Sequence, residues 1–168
     1  MNAQQRGQGG TPAALVGAII HDYAGYKKRE ERRLDDKRIR SYIALRLSAC
    51  AKELLRFRAV HGEGFNGSAD DFDLGLRRLR SAIDCVTDVP TGYTAFFDSL
   101  QTRTEEAARV ASADLELIQR ADELVKIVAR LIQVQVHDPS FRAGCGLLCQ
   151  KVTELARGVE TRDHLFSV

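Results

Sequence analysis

Apolar residues recur at intervals of three and four along most of this chain, and that spacing constrains its fold more than any other feature. The clearest case is the segment from about 104 to 136, where Leu117, Leu124 and Leu131 are seven residues apart. Such spacing places apolar side chains on one face of an α-helix. No stretch of four to eight residues shows the sustained polar and apolar alternation of a half-buried strand. The sequence therefore predicts an all-α protein.

Four principal helices are predicted, preceded by an N-terminal helical extension. The first principal helix ends at His61, and the second begins with Ser68 as the N-cap of a capping box. The third is the central helix at about 104–136, and the last begins with Asp138 and Pro139 as N-cap and first helical residue. Because the connections are short, the four helices are expected to form an antiparallel helical bundle.

The chain is long enough and apolar enough to form one domain, with 168 residues of which 44% are hydrophobic. Residues 1–10 are polar and rich in glycine, so a flexible tail is predicted there. Residues 11–168 are predicted to form a single helical-bundle domain. Within that domain, residues 11–38 are predicted to be an extension, first amphipathic and then charged, and residues 39–168 the bundle core.

The segment after the predicted tail is an apolar helix, separated from the core helices by charged residues. An apolar face of this kind must pack on its own bundle, on another chain, or in a membrane interface with its tyrosines at headgroup level. Pairing with a second copy or with a partner helix is favoured, because His21 and Asp22 interrupt the apolar surface. The residues expected to meet the partner here are Leu15, Ile19, Ile20, Tyr23 and Tyr26.

The net charge of +2 conceals an uneven distribution of charge along the chain. Residues 1–60 hold 13 basic and 6 acidic side chains, whereas residues 61–168 hold 12 and 17. Segment 26–58 alone holds 12 basic and 5 acidic side chains. Arginine binds phosphates and carboxylates through paired hydrogen bonds, so a basic helix is suited to an acidic protein, a nucleic acid or an anionic membrane surface.

Acidic residues within the basic segment decide between these partners. A polyanion would be repelled by acidic side chains that alternate with the basic residues expected to bind it: Glu30, Glu31, Asp35 and Asp36. A protein partner, or a second copy in a homo-oligomer, is therefore favoured over nucleic acid, and an anionic membrane surface is the least favoured. Nucleic acid bound along the arginine-rich stretch 27–40 is the main alternative. The basic residues assigned to partner binding are Lys28, Arg29, Arg32 and Arg33.

Two motif-like stretches are better explained by local structure than by chemistry. Residues 62–67 satisfy the pattern G-x-G-x-x-G, but a helix precedes them instead of the strand that a dinucleotide site needs. Asp70, Asp71 and Asp73 suggest a cation site, but acidic residues are also favoured in the first turn of a helix by its dipole. A helix-to-helix loop and a helix start are therefore predicted.

The four cysteines are unevenly spaced and too sparse for a disulfide-stapled secreted scaffold. A cytoplasmic protein with neither a secretory signal nor a membrane span is therefore expected. Cys145 and Cys149 lie one turn apart on the last predicted helix and are a weak alternative site for a metal ion or thiol chemistry. Buried inert thiols are favoured instead, because Cys145 is in phase with the apolar face. No metal or cofactor is predicted.

Enzymatic activity is not predicted, and no catalytic residues are assigned. P-loops, nucleophile elbows and paired zinc-binding histidines are missing from the sequence. The loose pattern of an arginine and a histidine that small helical ribonucleases use occurs three times, and Arg56 with His61 is the best placed. Three matches show how unspecific the pattern is, so a ribonuclease is a minor alternative. The favoured hypothesis is a non-enzymatic protein–protein interaction or assembly module.

Overall fold

Six α-helices account for most of the residues that the structure, a computed structural model, describes: 10–62, 64–65, 67–89, 94–99 and 103–166. None of these residues forms a β-strand, so the predicted all-α class is confirmed. The helices are α1 (Pro12–Ile19), α2 (Arg29–His61), α3 (Ala69–Thr87), α4 (Thr94–Asp98), α5 (Thr104–Leu131) and α6 (Pro139–His164).

Two helices begin with a side-chain cap followed by proline, as their sequences indicate. The hydroxyl of Thr11 accepts a hydrogen bond from the amide of Ala14 over 3.3 Å. The carboxylate of Asp138 accepts one from the amide of Ser140 over 2.8 Å. These bonds satisfy amides that have no partner within the helix.

The predicted capping box at the start of α3 is wrong. The hydroxyl of Ser68 makes no cap bond to the helix, and it donates to the carbonyl oxygens of Phe65 and Val136 over 3.2 and 3.3 Å. Ser68 is buried, and a buried hydroxyl group is stabilised by a hydrogen bond to a nearby acceptor. Its role is therefore to tie the α2–α3 loop to the α5–α6 connection.

Two helix ends differ from the sequence-based prediction. The charged stretch becomes helical at Arg29, because Gly25 and Tyr26 have φ angles of +71° and +61° and turn the chain just before it. Helix α5 ends at Leu131, and Val136 is buried in the connection that follows. Residues 1–9 of the predicted flexible tail lie outside the described residues.

The four long helices pack side by side as a ring in the order α2, α3, α6, α5. Helices α2 and α3 form one antiparallel hairpin, and α5 and α6 form the other. Helix α2 runs parallel to α5: Asp36 and Asp114 share Arg162 near the start of both helices, and Arg46 bonds Asp122 further along. The chain therefore passes between diagonal helices, from α3 to α5, through the segment that contains α4.

The two ends of the bundle have opposite characters. At one end, four phenylalanines from three helices and a loop pack on one another, with ring centroids 4.9 to 6.2 Å apart: Phe57, Phe65, Phe72 and Phe141. At the other end, a second aromatic cluster of Tyr26, Phe96, Phe97 and Phe166 lies beside a group of buried charged side chains. The ends of α3 and α6 and the starts of α2 and α5 meet at this charged end.

The predicted extension is part of the bundle in the structure. Val16 and Ile20 are buried in the large apolar core, and α1 packs along α5. The predicted boundary between residues 38 and 39 falls inside α2, which is continuous. The charged start of α2 carries buried side chains of its own, so burial does not begin at this boundary.

Candidate partner-binding surface

Helix α1 presents exposed apolar side chains without any charged residue among them. No residue of Pro12–Ile19 is charged. Val16 is fully buried, whereas Leu15 and Ile19 are 43% and 44% exposed. Large apolar patches on a protein surface are typical of partner-binding sites. Two of the predicted contact residues are therefore where a partner could reach them.

A shallow depression lies between α1 and the start of α5. Its volume is about 430 Å³, and mostly small side chains line it, contributed by α1, the link after it and the first turn of α5. Ala13, Gly25, Ala107 and Ala108 supply the apolar part, and Lys27 lies in the same lining. A depression lined by small apolar groups suits an apolar anchor residue of a partner.

The link between α1 and α2 is held by hydrogen bonds to two charged residues of α2. The carboxylate of Asp35 accepts from the amides of Ala24 and Tyr26 over 3.0 and 2.9 Å. The guanidinium of Arg32 donates to the carbonyl oxygen of Tyr26 over 3.1 Å. These bonds fix the turn, and with it the position of α1 on α5.

Arg162 of α6 lies at the centre of the charged end and contacts three elements. Its guanidinium donates to Asp114 of α5 over 2.5 Å, to Asp36 of α2 over 2.6 Å and to the hydroxyl of Tyr26 over 2.7 Å. The hydroxyl of Tyr23 donates to Asp114 over 2.9 Å. Arg162 and Asp114 are almost completely buried, so each must be paired.

Further ion pairs extend this arrangement. Arg40 bonds Asp36 over 3.1 Å and Asp163 over 2.5 Å, and it also donates to the carbonyl oxygen of Val86 at the end of α3. The Arg162 cluster is defined here as four arginines and four aspartates: Arg32, Arg38, Arg40, Arg162, Asp35, Asp36, Asp114 and Asp163. Its formal charges sum to zero, so it offers no surplus charge to a ligand.

Burial raises the pKa values of the two tyrosines that contact the Arg162 cluster. Burial raises the pKa of Tyr23, and the negative charge of Asp114 raises it further. Burial also raises the pKa of Tyr26, against the opposing effect of Arg162. For Arg162 burial favours the neutral form, but Asp114, Tyr26 and Asp36 together outweigh it and hold its pKa well above the ordinary value. At neutral pH both hydroxyls keep their protons and Arg162 is charged.

Three residues assigned to partner binding are buried, and their expected exposure is wrong. Ile20 packs in the apolar core, and Tyr26 is enclosed by the Arg162 cluster and the aromatic rings beside it. Arg32 donates to the carbonyl oxygens of Phe96 and Ser99, each over 2.9 Å. In each case the side chain contacts other parts of this chain instead of a partner. Tyr23 is partly buried.

The remaining basic residues of the assignment lie on the surface. Lys28 and Arg29 are exposed, and Arg33 is exposed beside Asp98, with which it forms an ion pair at 3.0 Å. The exposed basic surface near α1 is therefore smaller than the sequence implies, because Arg32 and Arg40 are buried in the Arg162 cluster.

The cysteine pair lies in the bundle interior. Burial raises the pKa of Cys145 to about 12 and also raises that of Cys149. A thiol must lose its proton to bind a metal ion. Within the described residues, no group of three or more histidine, cysteine, aspartate or glutamate side chains is placed to share one.

Arg56 and His61 have separate partners. Arg56 pairs with Glu53 over 2.7 Å. The Nδ1 atom of His61 lies 3.0 Å from the carbonyl oxygen of Phe57, and its ring stacks on the ring of Phe57 with centroids 4.3 Å apart. The open depression beside His61 has no other titratable side chain in its described lining.

No family model, no curated protein and no solved structure matches this chain. Among the described helices, none has both the length and the apolar character needed to cross a membrane.

Proposed function

We propose that this protein is a non-enzymatic assembly module that docks through α1 onto a second copy of itself. The observation that carries the proposal is the uncharged helix α1, which is fixed on the bundle by Val16 and presents Leu15 and Ile19 outward. A docking element that is already ordered loses little conformational entropy when it binds.

The depression beside α1 supports self-association in particular. In a two-fold interface the same patch of both chains meets, so each copy can offer an anchor and receive one. The exposed aliphatic side chains of α1 are suitable anchors, and the small residues that line the depression leave room for them. Lys28 and Arg29 lie exposed nearby in the chain and supply a polar rim.

Light scattering on the purified protein and two variants tests this proposal. The variant with both Leu15→Ser and Ile19→Ser is expected to have the mass of a single chain, whereas the unchanged protein has a larger mass. Leu147→Ser is the matched control, because Leu147 on α6 is 43% exposed, as Leu15 is. The control variant should retain the larger mass. Equal masses for the unchanged protein and the double variant contradict the proposal.

Nucleic-acid binding is the second candidate, and the exposed residues Lys28, Arg29 and Arg33 favour it. It predicts binding that weakens steeply with salt and that is lost when the three residues are replaced by alanine. Unchanged gel mobility of the nucleic acid with the protein at low salt would eliminate this candidate.

The free cysteines fit a reducing compartment such as the cytoplasm.

A further inference from the structure

The N-terminal latch, defined as residues 11–28, is attached to the bundle differently from the four long helices. Each long helix packs against two neighbours and so belongs to a closed ring, whereas α1 packs against α5 alone among the described helices. Removal of the latch therefore leaves every contact between the ring helices in place.

The charges at the latch site stay paired without it. Arg162 retains Asp114 and Asp36, and Arg40 retains Asp36 and Asp163, all of which belong to ring helices. The latch contributes two hydroxyls and the backbone groups of the link, and none of these is charged. Its release therefore separates none of these ion pairs, and separating a buried pair is the most costly result of breaking a polar network. Arg32 loses the carbonyl oxygen of Tyr26 but keeps those of Phe96 and Ser99.

The backbone of the latch favours release as well. Asp22 and Tyr26 have φ angles of +63° and +61°, in a region of backbone conformation that residues other than glycine rarely occupy. Tyr26 is bulky, and it is held in this conformation by Asp35, Arg32 and Arg162. Such conformations persist only where the surroundings enforce them, and they are relieved when the segment opens.

We infer that the latch opens as one unit while the four-helix ring remains folded, and that the bond between Tyr26 and Arg162 controls the opening. Opening uncovers the face of α5 that α1 covers and removes α1 from its fixed position. Because α1 carries the surface proposed above for self-association, opening of the latch also regulates self-association by displacing that surface. This consequence rests on the proposed function, whereas the opening itself does not.

Native-state hydrogen exchange read by mass spectrometry tests the inference on the intact protein. Amides of residues 14–28 should exchange through a shared opening whose urea dependence is smaller than that of global unfolding, while amides in the middle of α2 exchange only by global unfolding. Tyr26→Phe should speed exchange of the latch by about tenfold and leave α3 unchanged. Tyr42→Phe, which removes a partly buried hydroxyl from a ring helix, should leave latch exchange unchanged.

Two results overturn the inference. One is that the latch and the middle of α2 have the same exchange rate and the same urea dependence in the unchanged protein. This measurement does not require any variant to fold. The other is an equal effect of Tyr26→Phe on the latch and on α3. Both readings are independent of the mass in solution, so failure of the latch and failure of self-association are distinguishable.

Discussion

The guanidinium of Arg162 donates a hydrogen bond from Nη2 to the hydroxyl oxygen of Tyr26 over 2.7 Å. This bond joins the link after the first helix to the last turn of the last helix, across 136 positions of sequence. Arg162 also joins α2 to α5 through Asp36 and Asp114. One side chain thus fixes the relative position of four parts of the chain.

Replacement of Arg162 by methionine should destabilise the protein strongly. The substitution leaves Asp114 without a cation in the interior, and removal of one partner of a buried ion pair costs about 3–5 kcal/mol. Urea unfolding measures the change. Arg157→Met on the exposed side of the same helix is the control and should change stability by less than about 0.5 kcal/mol. Similar losses for both variants would show that the buried pairing contributes nothing.

Two glycines of α6 should respond oppositely to alanine. A Cβ atom at Gly146 meets open space, so Gly146→Ala should stabilise the helix by about 0.5–1 kcal/mol. A Cβ atom at Gly158 would lie 2.9 Å from Cδ2 of the buried Leu117 on α5. Gly158→Ala should therefore be less stable than Gly146→Ala by about 1–3 kcal/mol, because the two helices must move apart. Equal thermal stability of the two variants contradicts this packing.

Alkaline pH should destabilise the protein through its buried thiols. The pKa of Cys145 is about 12 in the folded chain against an ordinary value of 9.0, so the folded state keeps a proton that the unfolded state loses. The stability that this thiol contributes is complete below about pH 9 and is lost as the pH rises toward about 12, by about 1.4 kcal/mol per pH unit.

Urea unfolding at about pH 8 and about pH 10.5 measures that loss, in line with the ordinary thiol pKa. Cys145→Ala should lose less stability between the two values than the unchanged protein does, whatever its stability at pH 8. An identical loss in both proteins would mean that Cys145 ionises in the folded state as readily as in the unfolded one.

Much of the fold could be predicted from sequence, because apolar spacing is a local signal. The periodic leucines of α5 and the proline-led starts of α1 and α6 indicate helices without reference to the rest of the chain. The ring order of the helices has no such local signal. It depends on which faces meet, and the parallel pairing of α2 with α5 is held by contacts such as Arg46 with Asp122.

The Arg162 cluster could not be predicted from the charged stretch alone. In sequence, Asp36 and Arg40 resemble one of the exposed i,i+4 pairs that support a solvated helix. Their further partners are on α6, more than a hundred residues away. A signal does exist: Arg162 follows Val159 on the apolar stripe of the last helix, and a charged residue in such a stripe indicates a buried counter-ion.

Sedimentation equilibrium of the unchanged protein over a dilution series tests self-association through α1 most directly. A single chain has a mass of 18.7 kDa. The proposal predicts a multiple of that mass at high concentration and a fall toward the single-chain mass on dilution. With Leu15→Ser and Ile19→Ser together, the protein should have the single-chain mass throughout the series. The single-chain mass for the unchanged protein at every concentration would contradict the proposal.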